Sequence, residues 1–276
     1  MGDHHHDQTT AELLGQDIAP ASEIVAGCPN GNEDGHATEG DEAGGLEGEA
    51  SSAVFDRAQL NSLFGKRSQH NYEPVLTREH DGLYRTILRN RALHYAEQGL
   101  YVFPCRPMDI LDENGEIKHK AKSPLTKNGH KDATIDRAQI ARRWSELRNT
   151  GFPDALIGIR TGLISGFWVL DIDTKNADGF ASLKKLEARF GALPATHTVK
   201  TPSGGVHYYW KFPDIDLRCS SNKIAPGIDV RANDGYVIGP PSMMVDGRAY
   251  EDLTDATPNE AAWAPSWLID LGHSEQ

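Results

Sequence analysis

The segment Phe167-Trp168-Val169-Leu170-Asp171-Ile172-Asp173 constrains this chain more than any other. Four apolar residues in succession, two of them aromatic, are far too few for a membrane span and read as the body of a buried strand. Side chains alternate along a strand, so Asp171 and Asp173 project to the same face, about 6–7 Å apart along the backbone. Two carboxylates so placed repel each other unless a cation lies between them. Hard cations such as Mg²⁺ and Mn²⁺ take oxygen ligands and bring phosphate groups with them. A strand end entering solvent is the plain alternative, and D-x-D by itself does not separate the two.

Two further segments carry chemistry. In Thr201-Pro202-Ser203-Gly204-Gly205-Val206-His207, paired glycines between strands let backbone N–H groups approach an anion, and His207 can offer an N–H to a phosphate oxygen. A hairpin turn followed by a core histidine is the other reading. In Gly227-Ile228-Asp229-Val230-Arg231, Asp229 and Arg231 share the face opposite Ile228 and Val230. They form either a structural ion pair or a metal ligand beside a triphosphate clamp.

The formal net charge of −12 does not argue against a nucleotide or nucleic-acid substrate, because it is localised. Residues 1–50 hold twelve acids and no Lys or Arg, leaving 28 basic and 28 acidic residues in the rest. Residues 1–55 have too little apolar content to offset the entropy of ordering and read as a disordered acidic tail. Residues 56–82 read as a linker with a short helix over Asp56–Phe64, and residues 83–272 as the globular body. Within that body, residues 118–148 carry nine basic residues against three acids, together with Trp144. This stretch is either a surface for a single strand, with salt-sensitive binding, or a solvated helix face and loop.

The three cysteines, Cys28, Cys105 and Cys219, form no C-x-x-C pair, so neither a disulfide framework nor a zinc site is expected. No apolar run approaches a membrane span, and the N-terminus lacks a basic n-region; the chain reads as cytoplasmic, with no membrane partner.

Periodicity predicts a helix from Leu83 to Ala96 stopped by Gly99, a strand over 100–104, and a loop or hairpin around Asn114-Gly115. It then predicts a helix over Thr134–Leu147, strands over 155–159 and 167–172, and a helix over 181–190 closed by Gly191. Strands over 196–201, 206–212, 228–230 and 236–238 follow, the last ended by Pro240-Pro241. The order predicts α/β with a mixed or largely antiparallel sheet.

Taken together, D-x-D, then S-G-G-x-H, then G-I-D-V-R resembles the archaeo-eukaryotic primase superfamily, in its bifunctional primase–polymerase branch. Gly99-Leu-Tyr-Val-Phe-Pro104, Lys122-Ser-Pro124, Ile157-Gly-Ile-Arg-Thr-Gly162, Gly235-Tyr-Val-Ile-Gly-Pro-Pro-Ser242 and the closing Trp267-Leu268 are similar to that family's elements as well. The resemblance implies a primase-like catalytic core and template-directed transfer from a (d)NTP to a 3′-hydroxyl, as DNA primase, DNA polymerase or both. It also implies two Mg²⁺ or Mn²⁺ ions on Asp171, Asp173 and Asp229, with His207 completing the catalytic set. Ser203, Gly204, Gly205, His207, Arg231 and Lys122 would bind the nucleotide. Lys127, Lys131, Arg142 and Arg143 would meet single-stranded template or primer–template. A helicase acting in trans, replication of a mobile element, and repair are the contexts it suggests.

Three other readings compete. A nucleotide-sugar glycosyltransferase also uses D-x-D with Mn²⁺, but leaves S-G-G-x-H and G-I-D-V-R without a role. A haloacid-dehalogenase-type phosphatase requires Thr four residues after the first Asp, where Lys175 stands. A non-catalytic module that binds nucleotide or primer–template would keep the family's shape without its chemistry.

Overall fold

The computed structural model of the protein describes residues 78–147 and 151–273. The expected acidic tail and most of the linker lie outside them. The elements run α1 (Arg78–Glu97), β1 (Val102–Cys105), β2 (Ile110–Leu111), β3 (Ile117–His119), α2 (Arg137–Arg143), β4 (Leu156–Arg160), β5 (Phe167–Ile172) and α3 (Gly179–Phe190). They continue with β6 (Thr198–Lys200), β7 (Val206–Lys211), β8 (Ser220–Ala225), β9 (Ile228–Arg231), β10 (Tyr236–Gly239), β11 (Glu251–Asp252) and α4 (Ser266–His273).

The strands form a three-stranded sheet in the order β1-β4-β10, a six-stranded sheet in the order β11-β6-β7-β5-β9-β8, and the separate hairpin β2-β3. Every pairing between these strands is antiparallel. Parallel pairing is confined to isolated bridges, Trp210 to Ala262 and Arg218 to Asn233. The largely antiparallel arrangement that the element order predicts is thus present, divided into two sheets and a hairpin.

The unbroken apolar run of β5 follows from its place near the middle of the larger sheet, with both faces covered. Phe167 and Val169, with Tyr209 of β7 and Val199 of β6, face a core shared with α1, α2 and the three-stranded sheet. Trp168, Leu170 and Ile172 face the other way, into a core with Trp210, Ile228, Val230, Leu183 of α3 and Leu268 of α4. Burying one such side chain fully contributes about 1.5–3 kcal/mol. In α1 the buried residues Tyr84, Leu88, Ala92, Tyr95 and Ala96 recur at three- and four-residue steps, so one stripe packs inward. Tyr95 Oη donates to the Pro240 carbonyl at 2.8 Å, joining that helix to the end of β10.

One expected helix is shorter than its periodicity predicts. Asp136 caps α2 by accepting from the Gln139 amide at 2.7 Å, and Trp144 follows its last residue. Thr134 instead exchanges both backbone hydrogen bonds with Val102 at 3.0 Å, which holds the preceding chain extended. Ile135 and Leu147, apolar residues within the range expected for this helix, are 41% and 60% exposed. Trp144 belongs to the core: it is 2% exposed and its Nε1 donates to the Ala155 carbonyl at 3.0 Å, so it cannot stack on a strand of nucleic acid. Among the described residues no helix is long and apolar enough to cross a membrane.

Candidate active site

Strand register assembles the site. Asp171 of β5 lies directly opposite His207 of β7 on one side and Asp229 of β9 on the other. Directly opposed residues project to the same face, so the three side chains form a row across adjacent strands. Val169, two residues back, lies opposite Arg231 and Tyr209, which form the next row. The row with the acids sits at the end of β5, past the apolar part of its face, and the side chains of Asp171 and Asp229 keep 20% and 16% exposure.

Each group has defined neighbours. Arg231 Nη2 stands 2.7 Å from Asp229 Oδ2 and 3.5 Å from Asp171 Oδ2. Asp229 also accepts the Ser221 hydroxyl at 3.1 Å and the Asn222 amide at 2.9 Å, both delivered by β8. Asp173 follows the strand end; its amide donates to the Gly227 carbonyl at 2.8 Å and its carboxylate accepts the Lys175 amide at 2.8 Å. His207 is 5% exposed, with Nε2 3.5 Å from Asp171 Oδ1 and Nδ1 buried without a partner. Burial pulls its imidazole pKa below the ordinary value, and the Asp171 charge offsets only part of that.

The loop before β7 packs on the end of β5. A Cβ at Gly205 would lie 2.2 Å from the Ile172 carbonyl oxygen, so only glycine fits. Gly204 has φ +89°, a conformation that costs other residues about 1–2 kcal/mol. The Thr174 hydroxyl donates to the Ser203 carbonyl at 3.1 Å, and the Thr201 and Ser203 hydroxyls are 3.1 Å apart. This places Ser203, Gly204 and Gly205 beside Asp173.

Lys122 enters from the other sheet's side. Its Nζ stands 5.4 Å from the centroid of Tyr250, whose ring is 5.8 Å from that of His207. Burial lowers its pKa, while the charges of Asp171 and Asp173 pull it back up. Lys175 adds positive charge there; Arg248, ion-paired with Asp246 at 2.6 Å, donates from Nη1 to the Pro202 carbonyl at 3.0 Å. The structure thus brings together Asp171, Asp173, Asp229, His207, Arg231, Lys122 and the glycine loop.

Lys127, Lys131, Arg142 and Arg143 do not join that row; they belong to the segment from β3 through α2, beside the three-stranded sheet. The first three are exposed. Arg143 is half-buried, its Nη1 has no partner, and burial lowers its pKa.

Sequence reasoning missed Ser221, Asn222, Tyr250 and Arg248. Four successive polar residues, 220–223, open the strand Ser220–Ala225 without alternation, and Tyr250 and Arg248 lie in a loop segment without period, so none carried a signal. Lys175, two residues past Asp173, carries a sequence signal only as the residue that breaks the D-x-D-x-T pattern.

The donors fit divalent cations in kind, being hard carboxylate oxygens, those of Asp171 and Asp229 on one face and that of Asp173 beside the glycine loop. As placed, Arg231 supplies the counter-charge between two of them, and among the described residues no three His, Cys, Asp or Glu side chains converge at metal-holding geometry. A family model described as the N-terminal domain of bifunctional DNA primase/polymerase matches residues 92–267. No curated protein matches the chain.

Proposed function

The chain belongs to the bifunctional DNA primase/polymerase family, whose members' shared activity is nucleotidyl transfer, and from that premise we propose that this protein is a template-directed nucleotidyltransferase. It transfers a nucleotide from a (d)NTP to a 3′-hydroxyl on single-stranded template or primer–template. The row Asp229–Asp171–His207 beside the Ser203–Gly205 loop carries the reading, because it sets two acids and an imidazole on one face next to a glycine turn.

In this proposal Asp171, Asp173 and Asp229 hold two Mg²⁺ or Mn²⁺ ions. When bound, such ions lower the cost of charge on the attacking and leaving oxygens of an in-line displacement. The chain's own groups supply the rest. The Gly205 backbone and the Ser203 hydroxyl receive the triphosphate beside Gly204, whose own amide is held by the Thr201 carbonyl at 3.0 Å. His207, kept neutral by burial, has one N–H, which at Nε2 goes either to Asp171 or, in exchange, to a phosphate oxygen. Arg231 exchanges its carboxylate partners for phosphate, and Lys122 neutralises the far end of the tail. Lys127, Lys131 and Arg142 draw the template strand to the side of the three-stranded sheet. The cellular setting we favour is replication of a mobile element or repair, with a helicase acting in trans.

The test is extension by the full chain on primed and unprimed single-stranded DNA, with labelled dNTPs or NTPs and Mn²⁺. Incorporation is expected, and Asp171→Ala with Asp173→Ala should abolish it while circular dichroism stays unchanged. Undiminished incorporation by that double variant would falsify the site.

One observation favours a second reading. Arg231 already compensates Asp171 and Asp229, an arrangement that suits a module binding nucleotide or primer–template without turnover. Nucleotide binding that is indifferent to Mn²⁺, with no incorporation, would select it.

A further inference from the structure

Lys122 is held from both sheets at once. Its backbone lies in the left-handed region at φ +67°, unusual for a residue with a side chain. The Tyr236 hydroxyl, from β10 of the three-stranded sheet, donates to the Lys122 carbonyl at 3.2 Å. The Tyr236 ring is in turn fixed edge-on by Phe103 at 5.2 Å and stacked by His130 at 6.1 Å. At the other end of Lys122, Nζ stands 5.4 Å from the ring centroid of Tyr250, which leads into β11 of the six-stranded sheet. Tyr250 is 4% exposed and next to His207, which lies 3.5 Å from Asp171. One tyrosine fixes the backbone and another receives the ammonium on its face.

This lysine makes no ion pair among the described residues, although its side chain is half-buried and Asp171 and Asp173 act on it electrostatically. A half-buried ammonium without a bonded counter-ion is a poor stabilising element and a good receptor for an anion. Nearby Lys175 raises the local positive charge further, whereas Arg248 is paired with Asp246 at 2.6 Å.

We infer that Tyr250 and Tyr236 are positioning residues that present the Lys122 ammonium to the polyphosphate tail of a nucleotide. Tyr250 acts on the side chain and Tyr236 on the strained backbone. The inference rests on the nucleotidyl-transfer reading only for the identity of the anion.

The experiment is calorimetric titration of the full chain with inorganic tripolyphosphate at low salt without divalent metal, with melting temperatures recorded for each variant. Wild type should bind, and Lys122→Met should weaken binding at least tenfold. Tyr250→Leu should weaken it roughly fivefold and Tyr250→Phe, which keeps the ring, less than about twofold. Tyr236→Phe should also weaken it roughly fivefold, through the lost hydrogen bond. Neither tyrosine substitution should weaken binding further in the Lys122→Met background. If Tyr250→Leu does not fold, Tyr236→Phe alone and with Lys122→Met carries the same comparison. Absence of tripolyphosphate binding by wild type, or equal weakening with and without Lys122, overturns the inference. The expected pattern in a protein that fails to extend primers supports the inference and removes the nucleotidyl-transfer reading instead.

Discussion

Asp171 of β5 and Asp229 of β9 stand directly opposite each other, and a single nitrogen of Arg231 serves both, 2.7 Å from Asp229 and 3.5 Å from Asp171. Like charges opposed across strands destabilise a sheet, so the guanidinium supplies the compensation a bound cation would otherwise give. Replacing it by Arg231→Met should lower unfolding free energy by about 2 kcal/mol, below the range for fully buried pairs because all three groups retain some exposure. Mn²⁺ should then raise the melting temperature of Arg231→Met more than that of wild type. Equal shifts would mean that guanidinium and metal do not share these carboxylates.

Gly205 and Gly204 predict different costs for the same added methyl group. At Gly205 the new Cβ meets the Ile172 carbonyl oxygen at 2.2 Å, a backbone atom that cannot rotate away. At Gly204 the nearest atom is Thr174 Oγ1 at 3.9 Å, so only the positive φ opposes substitution. Gly205→Ala should therefore destabilise by up to about 3 kcal/mol and raise nucleotide KM, and Gly204→Ala by about 1 kcal/mol. Thermal melts that rank them the other way would show that the loop is not seated against β5.

The basic segment divides into a surface part and an inward part. Lys127, Lys131 and Arg142 are exposed, so reversing all three to Glu should weaken single-stranded DNA binding and reduce the slope of log K against log salt by about 2. Arg143 is half-buried near Asp132, and Arg143→Glu should cost stability first. Trp144→Phe should lower the melting temperature through the lost bond to Ala155 and leave DNA affinity unchanged. A large affinity loss in Trp144→Phe at full stability would contradict its place in the core.

What the sequence made legible was what period and spacing encode. The six residues of β5 were readable because burial on both faces forces an unbroken apolar run, and alternation alone put Asp171 and Asp173 on one face. The pairing of Asp171 with both Asp229 and His207 was not readable, since register is fixed by neighbours distant in sequence. The helix expected over Thr134–Leu147 shrank because Thr134 pairs with Val102, a tertiary contact that overrides local periodicity. Ser221 and Asn222 stayed hidden because the four polar residues that open their strand show no alternation, and Tyr250 because its partner Lys122 lies far away in the chain.

His197 predicts an acid-sensitive stability. Its side chain is 3% exposed, with Nε2 3.9 Å from Asp252 and its ring 4.5 Å from Tyr209. Burial pulls its pKa from 6.5 down to about 4; Glu260 and a bond with Ala256 oppose the shift, while Arg91 and His207 add to it. The unfolded chain therefore takes up a proton near pH 6.5 and the folded chain only near 4, so acid favours unfolding. The contribution is whole above about pH 6.5 and falls away as the pH drops to about 4, by about 3 kcal/mol in total. His207, also lowered by burial, titrates in the same direction, so the comparison must isolate one ring. In urea melts across this window, wild type should lose stability more steeply than His197→Phe, which keeps a ring in the core and cannot take up the proton. Parallel curves would assign the acid sensitivity to other groups.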